Sequence, residues 1–400
     1  MTERWTDPTL DAMFRQELAV TTSDWHAERQ WTRRPAVRPR AVRLLSVVAA
    51  TVVTAVVVVG GLLVHGGVNS PRGSALPPAT PGVPIARSWS ATAFDPLTGQ
   101  TVLFGGIPAG GALGDTWTWD GVRWLRQHPP ISPHPRLGAL MAFDPTLRAV
   151  VMVGGLPDGP TNATVDSDFR ATWLWDAGGW HRLQTAHMPF PAYSVWKGHM
   201  AFDARSQRLV LVGAGSFPHI GVCSVETWTF DGHDWRQLSP ATPLPAAVRF
   251  LVADGDRGVL ALLDPRPALV PAGKYMPDCP AGSEAARALP AVSTWSWTGS
   301  TWTEVPGQQP PPSGVGGDTG AAVVAGHALL MTGDAAVWMW QGSGWRFLPS
   351  VNTSPQARTS AAVATDVRGH LLLFGGQLQR PPWVLGDTWT WDGIAWTLRG

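Results

Sequence analysis

DTWTWDGVRW, residues 115–124, returns five more times along the chain in altered form, and each return keeps the same internal spacing. Trp117, Trp119 and Trp124 are matched by Trp173, Trp175 and Trp180, by Trp228, Phe230 and Trp235, by Trp295, Trp297 and Trp302, by Trp338, Trp340 and Trp345, and by Trp389, Trp391 and Trp396. The frame takes 17 of the 23 tryptophans, so the aromatic composition reflects a repeat and not scattered binding sites.

Each return reads as a β-hairpin. Aromatics at i and i+2 with threonines between them alternate with period two, which places both rings on one face of a strand. The turn that follows is WDG, FDG, WTG or WQG, whose glycine permits the positive φ of a tight hairpin. The second unit breaks the pattern, with WDAGGW putting Ala177 in the slot and Gly178 one place later. Upstream lies a second pair of strands: RSWSATAFDPLTGQTVLFGG, from Arg87 to Gly106, is two apolar runs joined by an Asp-Pro turn. Units two, three and six repeat it closely, whereas four and five keep the pattern without the paired glycines. Every unit therefore supplies four short antiparallel strands.

A lone sheet with large apolar side chains on both faces is not stable in water, since each exposed indole forfeits roughly 150–250 Å² of apolar burial. Stacking six such sheets face to face around an axis removes the exposure, and the closed ring is an all-β, six-bladed β-propeller. An apolar strand, Gly-Gly, then an aromatic followed by Asp and a later Trp resembles the kelch repeat. The resemblance covers residues 87–400 and implies inner strands lining a central channel. Trp119 and Trp124 stand closer together than in the usual kelch hairpin, which implies a tighter turn with little ligand surface. How the ring closes is open: the end blades pack edge to edge, or the region before Arg87 lends a strand.

The rest of the chain differs in kind. Residues 1–43 read as a largely disordered cytoplasmic tail, or as a docking segment for a cytoplasmic partner with Met13, Phe14 and Leu18 as its apolar face. Residues 44–64 carry no charge and match the length that crosses a hydrocarbon core of ~30 Å, so they read as a transmembrane helix in the lipid bilayer. The arginines at 33, 34, 38, 40 and 43 keep its leading end in the cytoplasm and place the propeller outside. A cleavable signal peptide is the alternative, disfavoured by the long preceding region. Residues 65–86, rich in Gly, Pro and Ser, read as a spacer. The formal net charge of +1 argues against nucleic acid as a partner.

Candidate chemistry is sparse. Arg87, Arg136 and Arg358 recur eight residues before the end of the first strand, and Lys197 lies near the same place in unit three. An arc of positive charge at the channel mouth would suit a carboxylated glycan or an acidic peptide; the competing reading is that these arginines satisfy neighbouring carbonyls and pair with Asp on the next blade. The long segments all fall on that side of the ring, where recognition residues are free to vary. Cys223 and Cys279 suit a disulfide in an oxidising compartment, or are two unrelated thiols. No metal site or cofactor is expected: His128, His134, His187 and His219 lack ligand-like spacing, and Asp158, Asp166 and Asp168 read as a polar loop. Only Tyr193 and Tyr275 are present, too few for a copper site resembling galactose oxidase, and no nucleophile, base and orienting acid recur together. The expected role is a membrane-anchored, extracytoplasmic binding or scaffolding module for a protein or glycan. The alternative is an extracellular carbohydrate-active hydrolase or lyase using the loop-rich face.

Overall fold

The computed structural model describes residues 79–157, 167–189, 198–214, 225–245, 248–263, 292–306, 318–378, 380 and 383–400. They build six antiparallel sheets, each running in chain order from an inner to an outer strand. The inner strands are Ala91–Asp95, Leu140–Asp144, His199–Asp203, Val248–Ala253, Asp318–Val324 and Ala362–Thr365. Each lies against the inner strand of the next blade, and Ala362–Thr365 lies against Ala91–Asp95, so the six sheets close into one ring. The protein is a six-bladed β-propeller with four antiparallel strands per blade.

The second strand of each blade explains why its sequence shows no polar alternation. Val102, Leu103 and Phe104 are all sealed from solvent: Val102 and Phe104 pack toward Val150 and Met152 of blade two, while Leu103 packs toward Leu372 and Phe374 of blade six. A strand covered on both faces has no use for polar residues. The third and outer strands supply the indoles. Trp119 and Trp124 are directly opposed across the hairpin, as are Trp175 and Trp180, Trp297 and Trp302, Trp340 and Trp345, and Trp391 and Trp396. The rings also reach across blade boundaries: Trp180 meets Phe104 edge-on at 5.2 Å, and Trp124 meets Phe374 at 5.3 Å. The leading Trp of the frame is the least covered, with Trp228, Trp338 and Trp389 only half-buried.

Hydrogen bonds lock these contacts in register. The outer-strand Trp of one blade donates its Nε1 to the threonine that precedes the leading Trp in the blade before it. Trp180 bonds Thr116, Trp235 bonds Thr172, Trp302 bonds Thr227 and Trp345 bonds Thr294, at 2.8–3.0 Å. Trp124 does the same to Thr388, so the joint between the last and first blades is made like the others. The sixth joint differs. Blade five has Val337 at the threonine position, and the buried Nε1 of Trp396 has no acceptor.

One end of the ring is closed by short turns. Asp95, Asp144 and Asp203 end the inner strands of three blades and Asp366 directly follows that of a fourth, and their carboxylates accept backbone N–H groups of the turns they begin. Asp120, Asp231 and Asp392 cap the outer hairpins in the same way. Gly121, Gly232 and Gly393 follow with φ of 91°, 92° and 101°. In the second unit the positive φ moves to Gly179, because Asp176 pairs with Gly179 across a two-residue turn.

Residues 79–86 belong to the ring and not to a spacer. Thr80–Gly82 adds a fifth strand outside Trp124–Gln127, so the region before Arg87 does lend a strand, though on the outer edge of blade one and not at the closure. Elsewhere the chain arriving from the preceding blade covers the same edge. Asn352 bonds the backbone of Trp396 from both ends of its amide, and Trp302 N donates to Thr242 O.

Candidate functional site at the arginine end of the ring

The opposite end of the ring carries Arg87, Arg136 and Arg358, each entering an inner strand. All three are buried, with side chains 0%, 0% and 1% exposed. Arg87 donates Nε to Ile85 O, Nη1 to Gly105 O at 3.0 Å, and both terminal nitrogens to Asp115 at 2.5 and 2.8 Å. Arg358 repeats this on Gln356 O, Gly375 O and Asp387. Arg136 bonds His134 O, Gly154 O and Asp168, and its guanidinium lies over the Phe169 ring at 4.4 Å. The geometry therefore gives these arginines a structural occupation, with the carboxylate on their own blade and not on the next one. Among the described residues, the charge of each of these three arginines is matched by a buried or half-buried carboxylate; Lys197, the fourth member of the expected arc, lies outside them.

The paired glycines complete the device. Gly106 N donates to Arg136 O and Gly376 N to Arg87 O, both at 2.9 Å. The first glycine of each pair must lack a side chain, since a Cβ on Gly105 or Gly375 would stand 2.4 Å from the same arginine carbonyl. Each arginine thus grips its own blade with its side chain and the preceding blade with its backbone. Blades six, one and two are fastened this way. Blades three and four have Val195 and Ala246 at the arginine position, and both residues lie outside the described ones.

Electrostatics follow from the burial. Desolvation pushes the Asp115 and Asp387 carboxyls up, but the Arg87 and Arg358 guanidinia together with the Trp117 and Trp389 N–H groups more than reverse it, holding both below the ordinary value of 3.8. Burial pulls Arg136 down to about 10 against the opposing pull of Asp168. At the head of the blade-three inner strand, burial beside Phe250 lowers His199 to about 4.

Other expected positions are spread apart. His134 lies beside Asp168, with which Arg136 is paired; His128 contacts Thr80; and His187 pairs with Asp234 at 2.7 Å in the open. Among the described residues no three His, Cys, Asp or Glu side chains come together as a metal site, and no helix is long and apolar enough to cross a membrane. Lys197, Cys223, Cys279, His219, Tyr193, Tyr275, Asp158, Asp166 and the run 44–64 lie outside the described residues.

Sequence reasoning passed over three features. Asp115 and Asp387 stand two places before a frame Trp in the blades that also carry the arginine, which was a usable signal. The threonine before the leading Trp was another. The third is a short run after each arginine, where Trp89, Gly138 and Ser360 all take positive φ, at 58°, 66° and 55°. They chain the blades together: Trp89 N donates to Ser360 O at 2.9 Å, and Gly138 N to Trp89 O at 2.8 Å.

The class these features define is a six-bladed β-propeller clasped by arginine at one end and closed by aspartate turns at the other. Neither a protein-family model nor a curated protein matches the chain.

Proposed function

We propose that the chain is a binding or scaffolding module that takes a protein or glycan ligand on the arginine end of the ring. A β-propeller is itself suited to that role, because it offers loops on a rigid frame. The observation that carries the reading is the difference between the two ends. At the aspartate end the connections are short and spent on capping their own turns. At the other end they are long, running from Val153 to Thr172 in blade two and from Leu263 to Ser293 in blade four. The kelch resemblance supports the same reading.

The apolar run 44–64 and the arginines before it support single-pass anchoring, with residues 1–43 in the cytoplasm, available to a partner there, and the ring outside. The test uses the full chain in membranes. Protease added to intact cells should digest the propeller and spare the tail, and protein and glycan arrays probed with the detergent-extracted chain should give a specific ligand. Protection of the propeller in intact cells would sink the orientation; silence on both arrays would sink the binding role.

A further inference from the structure

The turns that join first to second and third to fourth strands, and so close the aspartate end, all lie among the described residues. Compared blade by blade, they are apolar in one place only. The residue after the hairpin glycine is Val122 in blade one and Ile394 in blade six, against His233, Ser300 and Ser343 in blades three, four and five. Two places after the aspartate of the inner turn, blade one has Leu97 where blades two, three, four and six have Thr146, Arg205, Asp256 and Arg368. The same turns form around polar side chains elsewhere, so their geometry does not call for apolar ones. Of the nine large apolar side chains exposed among the described residues, four gather at this end on blades one and six: Val83, Leu97, Val122 and Val351, each between 49% and 68% exposed. Val83 follows Gly82, which pairs with Trp124 beside the Val122 turn, and Val351 N donates to Ile394 O at 3.1 Å. The two blades touch here, since a Cβ on Gly99 or Gly121 would stand 3.0 or 2.7 Å from Val367, and one on Gly121 3.5 Å from Arg368. An exposed apolar cluster of this kind marks a contact surface.

The surroundings choose the occupant. Arg123 in the Val122 turn, Arg368 beside it in blade six and Arg148 in blade two are all exposed. The carboxylates of the inner turns, Asp95, Asp144 and Asp366, are buried and hold N–H groups of those turns. Asp120 and Asp392 cap their own hairpins, and Asp120 lies 3.5 Å from Arg123. Apolar tips rimmed by arginine suit the boundary of an anionic bilayer, where the tips enter the acyl region, the arginine stems lie along it and the guanidinium groups stay with the phosphates. The tether points the same way. Only residues 65–79 separate the apolar run 44–64 from Thr80, a reach of at most about 50 Å, and the chain joins the ring at the outer edge of blade one. We propose that the aspartate end of blades one and six docks on the anionic lipid surface in which the chain is anchored, through Val83, Leu97, Val122 and Val351 with Arg123 and Arg368. This rests on the anchoring reading above, and it turns the arginine end with its long connections away from the bilayer.

The test places the full chain in vesicles of phosphatidylcholine and phosphatidylglycerol carrying a diazirine on the upper acyl chain, and maps lipid adducts by mass spectrometry after illumination. Adducts are expected in 44–64 from the anchor, and at Leu97, Val122 and Val351, with at least about fivefold fewer at exposed Trp383 on the opposite end. Leu97→Ser combined with Val122→Ser should cut the turn adducts at least about fivefold, while the melting temperature and the adducts in 44–64 stay as in the parent. Arg123→Ser combined with Arg368→Ser should lower them at least about threefold, and so should vesicles of phosphatidylcholine alone with the parent chain. Adducts in 44–64 with none in the turns would overturn the docking and leave the anchoring standing; none in either would remove both. Equal labelling of the two ends, or cross-links from the turns to a second copy of the chain in place of lipid, would also overturn the proposal.

Discussion

Trp124 Nε1 donates to Thr388 Oγ1 at 3.0 Å, joining two residues 264 positions apart, the first and last blades of the ring. The same pairing of an outer-strand indole with a threonine of the preceding blade recurs at four more joints, and the joint between blades five and six lacks it. Val337 offers no acceptor there.

Val337→Thr should therefore stabilise the protein. It gives the buried Trp396 N–H a partner, worth about 1 kcal/mol. Melting by calorimetry should rise by about 2 °C. The converse change, Thr388→Val, strands the Trp124 N–H and should cost about 1–3 kcal/mol. Equal effects from the two changes would contradict this account.

Arg136→Ala should be among the most damaging single changes, since it leaves Asp168 buried beside Phe169 without its counter-charge, at a cost of about 3–5 kcal/mol. Lysine lacks the planar fork that reaches Gly154 O, His134 O and Asp168 together, so Arg136→Lys should recover little. In urea unfolding, Arg136→Ala combined with Asp168→Ala should cost less than the two single changes summed.

Gly105→Ala forces a methyl group to 2.4 Å from Arg136 O at a φ of 64°, and should cost more than about 2 kcal/mol. Gly344→Ala faces open space and should change stability by less than about 0.5 kcal/mol. Similar losses from both would show that the Gly-Gly step tolerates a side chain.

Stability should fall with acid in two stages. Between pH 6.5 and about 4 the unfolded chain binds a proton at His199 that the folded chain refuses, so stability declines across that window and levels off below it. Asp115 and Asp387 act lower: their contribution is complete above 3.8 and is lost as pH drops through their depressed folded values. Burial also lowers His370, so both histidines feed the upper limb; urea midpoints against pH should show both limbs, and His199→Gln should reduce the upper one and leave the lower one unchanged.

The ring was legible because indoles at i, i+2 and i+7 fix both a hairpin and its buried face, and six copies fix the blade count. The arginines were visible, and so was a structural role on carbonyls and an Asp, but the partner was not: Asp115 and Asp387 lie 28 and 29 residues downstream on the same blade and not the next, and Asp168 lies 32 downstream outside the equivalent register. Charge read along a sequence carries no record of the carboxylate that folding brings beside it. Residues 79–86 misled for a related reason. Their Gly and Pro content suits a spacer, yet a three-residue strand needs only a free edge to pair with, and Trp124–Gln127 supplies one.

Because the joint between Ala362–Thr365 and Ala91–Asp95 is secured by side chains and loops, with no strand shared across it, no blade is privileged as the start. A circular permutant of residues 80–400 opened at the Ala177-Gly178 turn, with a flexible linker from Gly400 to Thr80, should keep all six joints while changing which blade is made first.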